Sequence, residues 1–62
     1  MPSYKATYKV YRDDKVTTEN RIYQANNLSD AERQGKDMVV FLERNLEARV
    51  EYQSVGLNVK KR

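Results

Sequence analysis

The sequence predicts an α+β fold of order β-β-α-β: a small sheet of three strands, or four in the alternative, with one helix packed on one face. Three observations predict it. Apolar and polar residues alternate from Tyr4 to Tyr11, a capped segment after Leu28 repeats its apolar positions at helical spacing, and β-favouring residues return after Ala48.

The first strand is the clearest element. Tyr4, Ala6, Tyr8 and Val10 share one face, and Lys5, Thr7, Lys9 and Tyr11 share the other, because successive side chains of a strand point to opposite sides. Asp13-Asp14-Lys15 then supplies turn chemistry, since an Asp side chain hydrogen-bonds its own backbone nearby. Val16-Thr17-Thr18 resumes β-branched residues, so a hairpin is expected, with a second strand from about Val16 to Ala25. Ile22 and Tyr23 are adjacent and point opposite ways, which sends one of them to the open face or to an edge.

Leu28-Ser29-Asp30-Ala31-Glu32 reads as a helix start: Ser29 as N-cap, Glu32 returning the reciprocal capping-box bond, and Leu28 as the staple. The helix is expected to run to Asn45 or Leu46, with Ala31, Gly35, Met38, Leu42 and Leu46 in one stripe against the sheet. Glu32 with Lys36 and Arg33 with Asp37 are spaced to meet on the solvated side. Gly35 sits mid-helix, where glycine costs about 1 kcal/mol relative to alanine, so a bulky group such as a strand tyrosine is expected close to it. In the last segment, Ala48 to Lys60, the apolar phase slips. Ala48, Val50 and Tyr52 are even-numbered whereas Val55, Leu57 and Val59 are odd, so Ser54 to Gly56 is a bulge or, in the alternative, a turn into a fourth strand.

Composition narrows the function classes. A chain of 62 residues is expected to form one domain with a thin core, since a domain of this size buries only about 60% of its unfolded surface. Cysteine and histidine are both absent, which removes thiol nucleophiles, disulfides, Cys/His zinc sites and imidazole-based triads. Asp13-Asp14 reads as turn chemistry and not as an acid–base pair, and Glu43 with Glu47 lacks a third ligand for a metal. No glycine-rich phosphate loop is present. The expectation is therefore no enzyme, no cofactor and no metal. The longest apolar run, Met38 to Leu42, is five residues, whereas a membrane span takes about 20, so no membrane partner is expected and the cytoplasm is the expected location.

Charge is distributed unevenly. The net charge is +3; residues 1–12 carry Lys5, Lys9 and Arg12 with no acid, the chain ends Lys60-Lys61-Arg62, and residues 13–59 hold six basic and nine acidic residues. With strand 1 central between strands 2 and 3, Lys5 lies beside the end of strand 3 and the two basic ends converge. This predicts a small non-enzymatic binding module that engages DNA or RNA through Lys5, Lys9, Tyr11, Lys60, Lys61 and Arg62, with phosphate contacts supplying most of the affinity. The plainer interpretation makes the same residues a solvated strand face and a flexible basic tail at 60–62. The alternative function is a protein–protein module, a regulator or inhibitor acting as a homodimer or on a larger partner. Its interface would use Val40 and Phe41, which fall off the buried stripe, and whichever of Ile22 and Tyr23 points outward.

Overall fold

The computed structural model describes residues 2–58. Strand β1 (Ser3–Arg12) and strand β2 (Lys15–Gln24) form a hairpin, helix α1 (Leu28–Leu46) follows, and strand β3 (Arg49–Leu57) completes the order β-β-α-β. The sheet order is β2-β1-β3, and both outer strands run antiparallel to β1. Three strands are present among the described residues, so Arg49 to Leu57 is one bulged strand and not two.

The hairpin is closed by Asp13 and Asp14 between the facing residues Arg12 and Lys15. Asp13 takes a positive φ of 54°, a region that Asp tolerates better than bulkier side chains do. On β1, Tyr4, Ala6, Tyr8 and Val10 are buried, and the residues between them are half-buried or exposed. The β3 partners on the buried face are Leu57, Val55, Tyr52 and Val50. Their phase slip is resolved at one residue: Thr7 faces Ser54 while Tyr8 faces Tyr52, leaving Gln53 as the extra residue of a bulge. The bulge lies one residue earlier than the Ser54–Gly56 window predicted from the sequence.

The helix start also differs from expectation. Asn27, not Ser29, is the N-cap: it is extended (φ −160°, ψ 178°), its side chain accepts the Asp30 N–H at 2.8 Å, and its carbonyl accepts the Ala31 N–H at 2.9 Å. Asp30 Oδ2 accepts the N–H of Asn26, the residue before the cap, at 3.4 Å; the helix is capped two residues earlier than the Ser29/Glu32 box, which puts Leu28 inside it. Asn and Ser cap about equally well, so chain entry from β2 decides between them. Arg33 pairs with Asp30 at 2.5 Å, one turn back, and not with Asp37. At the far end Glu47 adopts a left-handed conformation (φ 52°, ψ 47°) and its N–H donates to Glu43 O, closing the helix.

Most of a helix's stability in a folded protein comes from the packing of its apolar face, and α1 is held in this way. Leu42 joins Ala6, Tyr8, Val10 and Val50 in one buried cluster, with Met38, Val39 and Leu46 against it; Ala31 joins Tyr4 and Ala25 in a second. The approach is close at Gly35, as its position mid-helix predicted. A Cβ there would lie 2.8 Å from Tyr23 Oη and 3.1 Å from Tyr52 Cε1. Tyr8 is fully buried, and its hydroxyl donates to Gly35 O at 2.7 Å. Tyr23 donates likewise to Ala31 O. The helix lies over β3 and β1 and meets β2 mainly through Tyr23. Among the described residues no helix is long and apolar enough to cross a membrane.

Candidate functional site: the open face of the sheet

Register places the candidate residues. Facing residues of an antiparallel pair share a face, so the side of the sheet away from the core carries the rows Ile22-Lys5-Gly56, Asn20-Thr7-Ser54, Thr18-Lys9-Glu51 and Val16-Tyr11-Arg49. Lys5, Lys9 and Tyr11 are therefore on one surface, as predicted. Lys60, Lys61 and Arg62 lie outside the described residues; the end of β3 does meet the start of β1, where Asn58 N–H donates to Ser3 O at 2.8 Å.

Arg49 belongs to this surface and was not singled out from the sequence. Its signal was available: once Val50 is inward, its two neighbours must be outward. The guanidinium lies 5.4 Å from the centroid of the Tyr11 ring, and the Tyr11 hydroxyl donates to Glu51 Oε1 at 3.0 Å. That hydrogen bond to the carboxylate, followed by partial burial, holds the Tyr11 hydroxyl above the usual tyrosine range. Gln53, the bulged residue, also donates to Glu51 Oε1, at 3.1 Å. Tyr11 is thus engaged on its ring by a cation and at its hydroxyl by an anion, and it is not a free stacking platform.

Of the four proposed interface residues, Val40 and Phe41 are 58% and 64% exposed, and Ile22 is 62% exposed on the open face. Tyr23 is a correction. Its ring points to the helix side, where its hydroxyl binds Ala31 O and burial raises its pKa. The pair Ile22/Tyr23 is resolved this way because a tyrosine satisfies its hydroxyl on the helix backbone, which an isoleucine cannot.

Two acidic pairs have structural partners. Glu43 Oε2 accepts the Val50 N–H at 3.2 Å and so anchors the start of β3 to the helix, while Asp13 and Asp14 form the hairpin turn. A cleft of about 470 Å³ opens between the hairpin and the end of the helix, lined by Val10, Arg12, Asp14, Thr17, Glu19 and Leu46 among others. Arg12 spans it, donating to Leu46 O. Comparison with known proteins found no matching family model, no matching curated protein and no matching solved structure.

Proposed function

We propose that this chain is a small binding module without catalytic chemistry of its own, which engages nucleic acid through the open face of its sheet. One observation carries the reading. The open face holds Lys5, Lys9 and Arg49 against the single acid Glu51, whereas α1 with its cap residue Glu47 holds five acids against three bases. The two sides of the molecule differ in sign, and a polyanion is favoured on one of them. Lys5 and Lys9 stand roughly 13 Å apart along the strand, and the Arg49 row extends the run to roughly 20 Å. Because Tyr11 is already stacked and hydrogen-bonded, contacts to phosphate outweigh stacking on bases, and binding is expected to be weakly sequence-dependent. Lys60, Lys61 and Arg62, which follow β3 in the sequence and lie outside the described residues, carry three further positive charges. A titration of labelled single- and double-stranded DNA and RNA oligonucleotides at two salt concentrations tests this. Affinity that falls steeply with salt supports the reading, and absent or salt-indifferent binding overturns it.

The exposure of Val40 and Phe41 favours a second reading, a protein partner held on the helix flank. In that case Phe41→Ala or Val40→Asp alters association state or partner capture, and charge reversal at the chain ends does not.

A further inference from the structure

The sheet has two edges, and they are built differently. The β3 edge is interrupted by the Gln53 bulge, with Gly56 beyond it. The β2 edge runs ten residues, Lys15–Gln24, with no bulge, proline or glycine. Native proteins blunt exposed edges with such interruptions, because an unpaired row of N–H and C=O groups is a template for another strand.

The phase of that row follows from one hydrogen bond. Ala25 N–H donates to Pro2 O at 3.2 Å, so odd-numbered residues of β2 turn their backbone groups toward β1. The even-numbered residues Val16, Thr18, Asn20, Ile22 and Gln24 therefore present theirs to the open edge.

The geometry points to a second copy of this chain as the missing strand: two β2 edges pair antiparallel about a two-fold axis through Asn20, joining two three-stranded sheets into one of six. Charge complementarity selects both the occupant and the register. Outward-bonding residues must face one another, so the numbers of any facing pair sum to an even value and few registers remain. Centring on Glu19 sets the two copies' carboxylates against each other, centring on Arg21 does the same to the guanidiniums, and centring on Thr18 opposes Lys15 to Arg21. Like charges directly opposite destabilise a ladder. Centring on Thr17 sets Lys15 against Glu19, but there, as for centring on Ile22, only a short overlap of the strands is left. Centred on Asn20, Glu19 faces Arg21 of the second copy and Arg21 faces its Glu19, while Thr18 faces Ile22 and Val16 faces Gln24. These ion pairs fall at non-hydrogen-bonded positions, where facing side chains are closest. Within one chain Arg21 Nη1 already lies 3.0 Å from Glu19 Oε1, so the exchange from internal to mutual pairs needs little movement.

The helix side of the edge agrees. Because α1 lies over β3 and β1, it leaves β2 only partly covered: Thr17 is exposed, Glu19 and Arg21 are half-buried, and Thr17 and Glu19 line the cleft beside Leu46. Glu43 reaches β3 through the Val50 N–H, and Phe41, about 200° from it around the helix, is on the flank toward β2. A two-fold axis at Asn20 turns the Phe41 flanks of both helices toward each other above the strand junction.

Sedimentation equilibrium of the full chain, from low micromolar to near-millimolar concentration, is the test. A reversible dimer is expected. Glu19→Arg and Arg21→Glu should each weaken it about tenfold or more, and the double exchange Glu19→Arg/Arg21→Glu should restore it to within about threefold, since facing charges then complement again. Thr18→Pro, which removes an N–H that serves no partner among the described residues, should abolish the dimer while circular dichroism and urea unfolding report a folded monomer. A wild-type chain that stays monomeric throughout overturns the proposal. So does a dimer indifferent to Thr18→Pro, and a double exchange as weak as its parents overturns the register.

Discussion

Gly35 and the tyrosines around it tie the helix to the sheet. Alanine at this position gains about 1 kcal/mol of helix propensity, but its Cβ meets Tyr23 Oη at 2.8 Å and Tyr52 Cε1 at 3.1 Å. Relieving that crowding costs about 1–3 kcal/mol and frees Tyr23 from Ala31 O, so Gly35→Ala is expected to destabilise by about 1 kcal/mol net in urea unfolding. A gain in stability would mean that the rings yield freely. Tyr8 adds a pH dependence: burial, reinforced by Tyr23 and Tyr52, pushes its pKa from 10.0 up to about 12. An acid whose pKa is raised by folding stays neutral longer in the folded state. Its contribution is therefore complete below pH 10.0 and is lost as pH rises toward 12, on the order of 2 kcal/mol across that window. Tyr8→Phe is expected to cost about 1 kcal/mol at neutral pH through the lost bond to Gly35 O, and to flatten the alkaline decline. Chemical unfolding at several pH values between these limits checks both. The glycine was legible as an anomaly because only proximity explains glycine in mid-helix. The direction of the Tyr8 hydroxyl was not, because alternation fixes which face a ring takes and not which carbonyl it meets.

At the scale of elements, caps and the bulge decide where each segment begins and ends. Glu47 occupies a left-handed conformation that costs a non-glycine residue about 1–2 kcal/mol, and its side chain is exposed. Glu47→Gly is expected to raise stability by about 1 kcal/mol, or about 4–8 °C in melting temperature for a domain of this size, as a thermal melt would show. An unchanged or lower melting temperature would assign the Glu47 side chain a role that its exposure does not suggest. Strand β1 and the helix body were legible because periodicity is a property of many residues together. The N-cap was not, since Asn27 and Ser29 both suit that position and the choice depends on where β2 releases the chain. The bulge was visible as a change of parity between Tyr52 and Val55, but parity locates the extra residue only to the interval between them.

For the whole molecule, charge is the property that sequence and structure describe differently. The described residues carry nine basic and nine acidic side chains, so the entire +3 excess belongs to Lys60, Lys61 and Arg62. What makes the open face basic is separation: β1 and β3 turn Lys5, Lys9 and Arg49 one way while the acids of the helix lie the other way. Two triple replacements by alanine, at Lys5/Lys9/Arg49 and at Lys60/Lys61/Arg62, should divide the salt dependence of oligonucleotide binding between them. Each lost phosphate contact lowers the slope by about 1. A slope that follows only the terminal three would assign binding to the chain end and leave the sheet face as solvated surface. The convergence of Lys5 with the end of β3 was legible from element order alone. Arg49 escaped notice because its role comes from the register of β3 against Tyr11, which a single segment does not reveal.

The Gln53 bulge has a consequence for how this gene tolerates changes of length. Loss of the Gln53 codon would leave Ser54 opposite Thr7 and turn β3 into an unbroken ladder, with Val50, Tyr52, Val55 and Leu57 all still inward. Loss of the Glu51 codon would instead reverse the facing of the strand's start, carrying Val50 opposite Lys9 on the solvated side. Deletion scanning across β3 should therefore show one permissive spot, at Gln53 and its neighbour Ser54, inside an otherwise intolerant stretch.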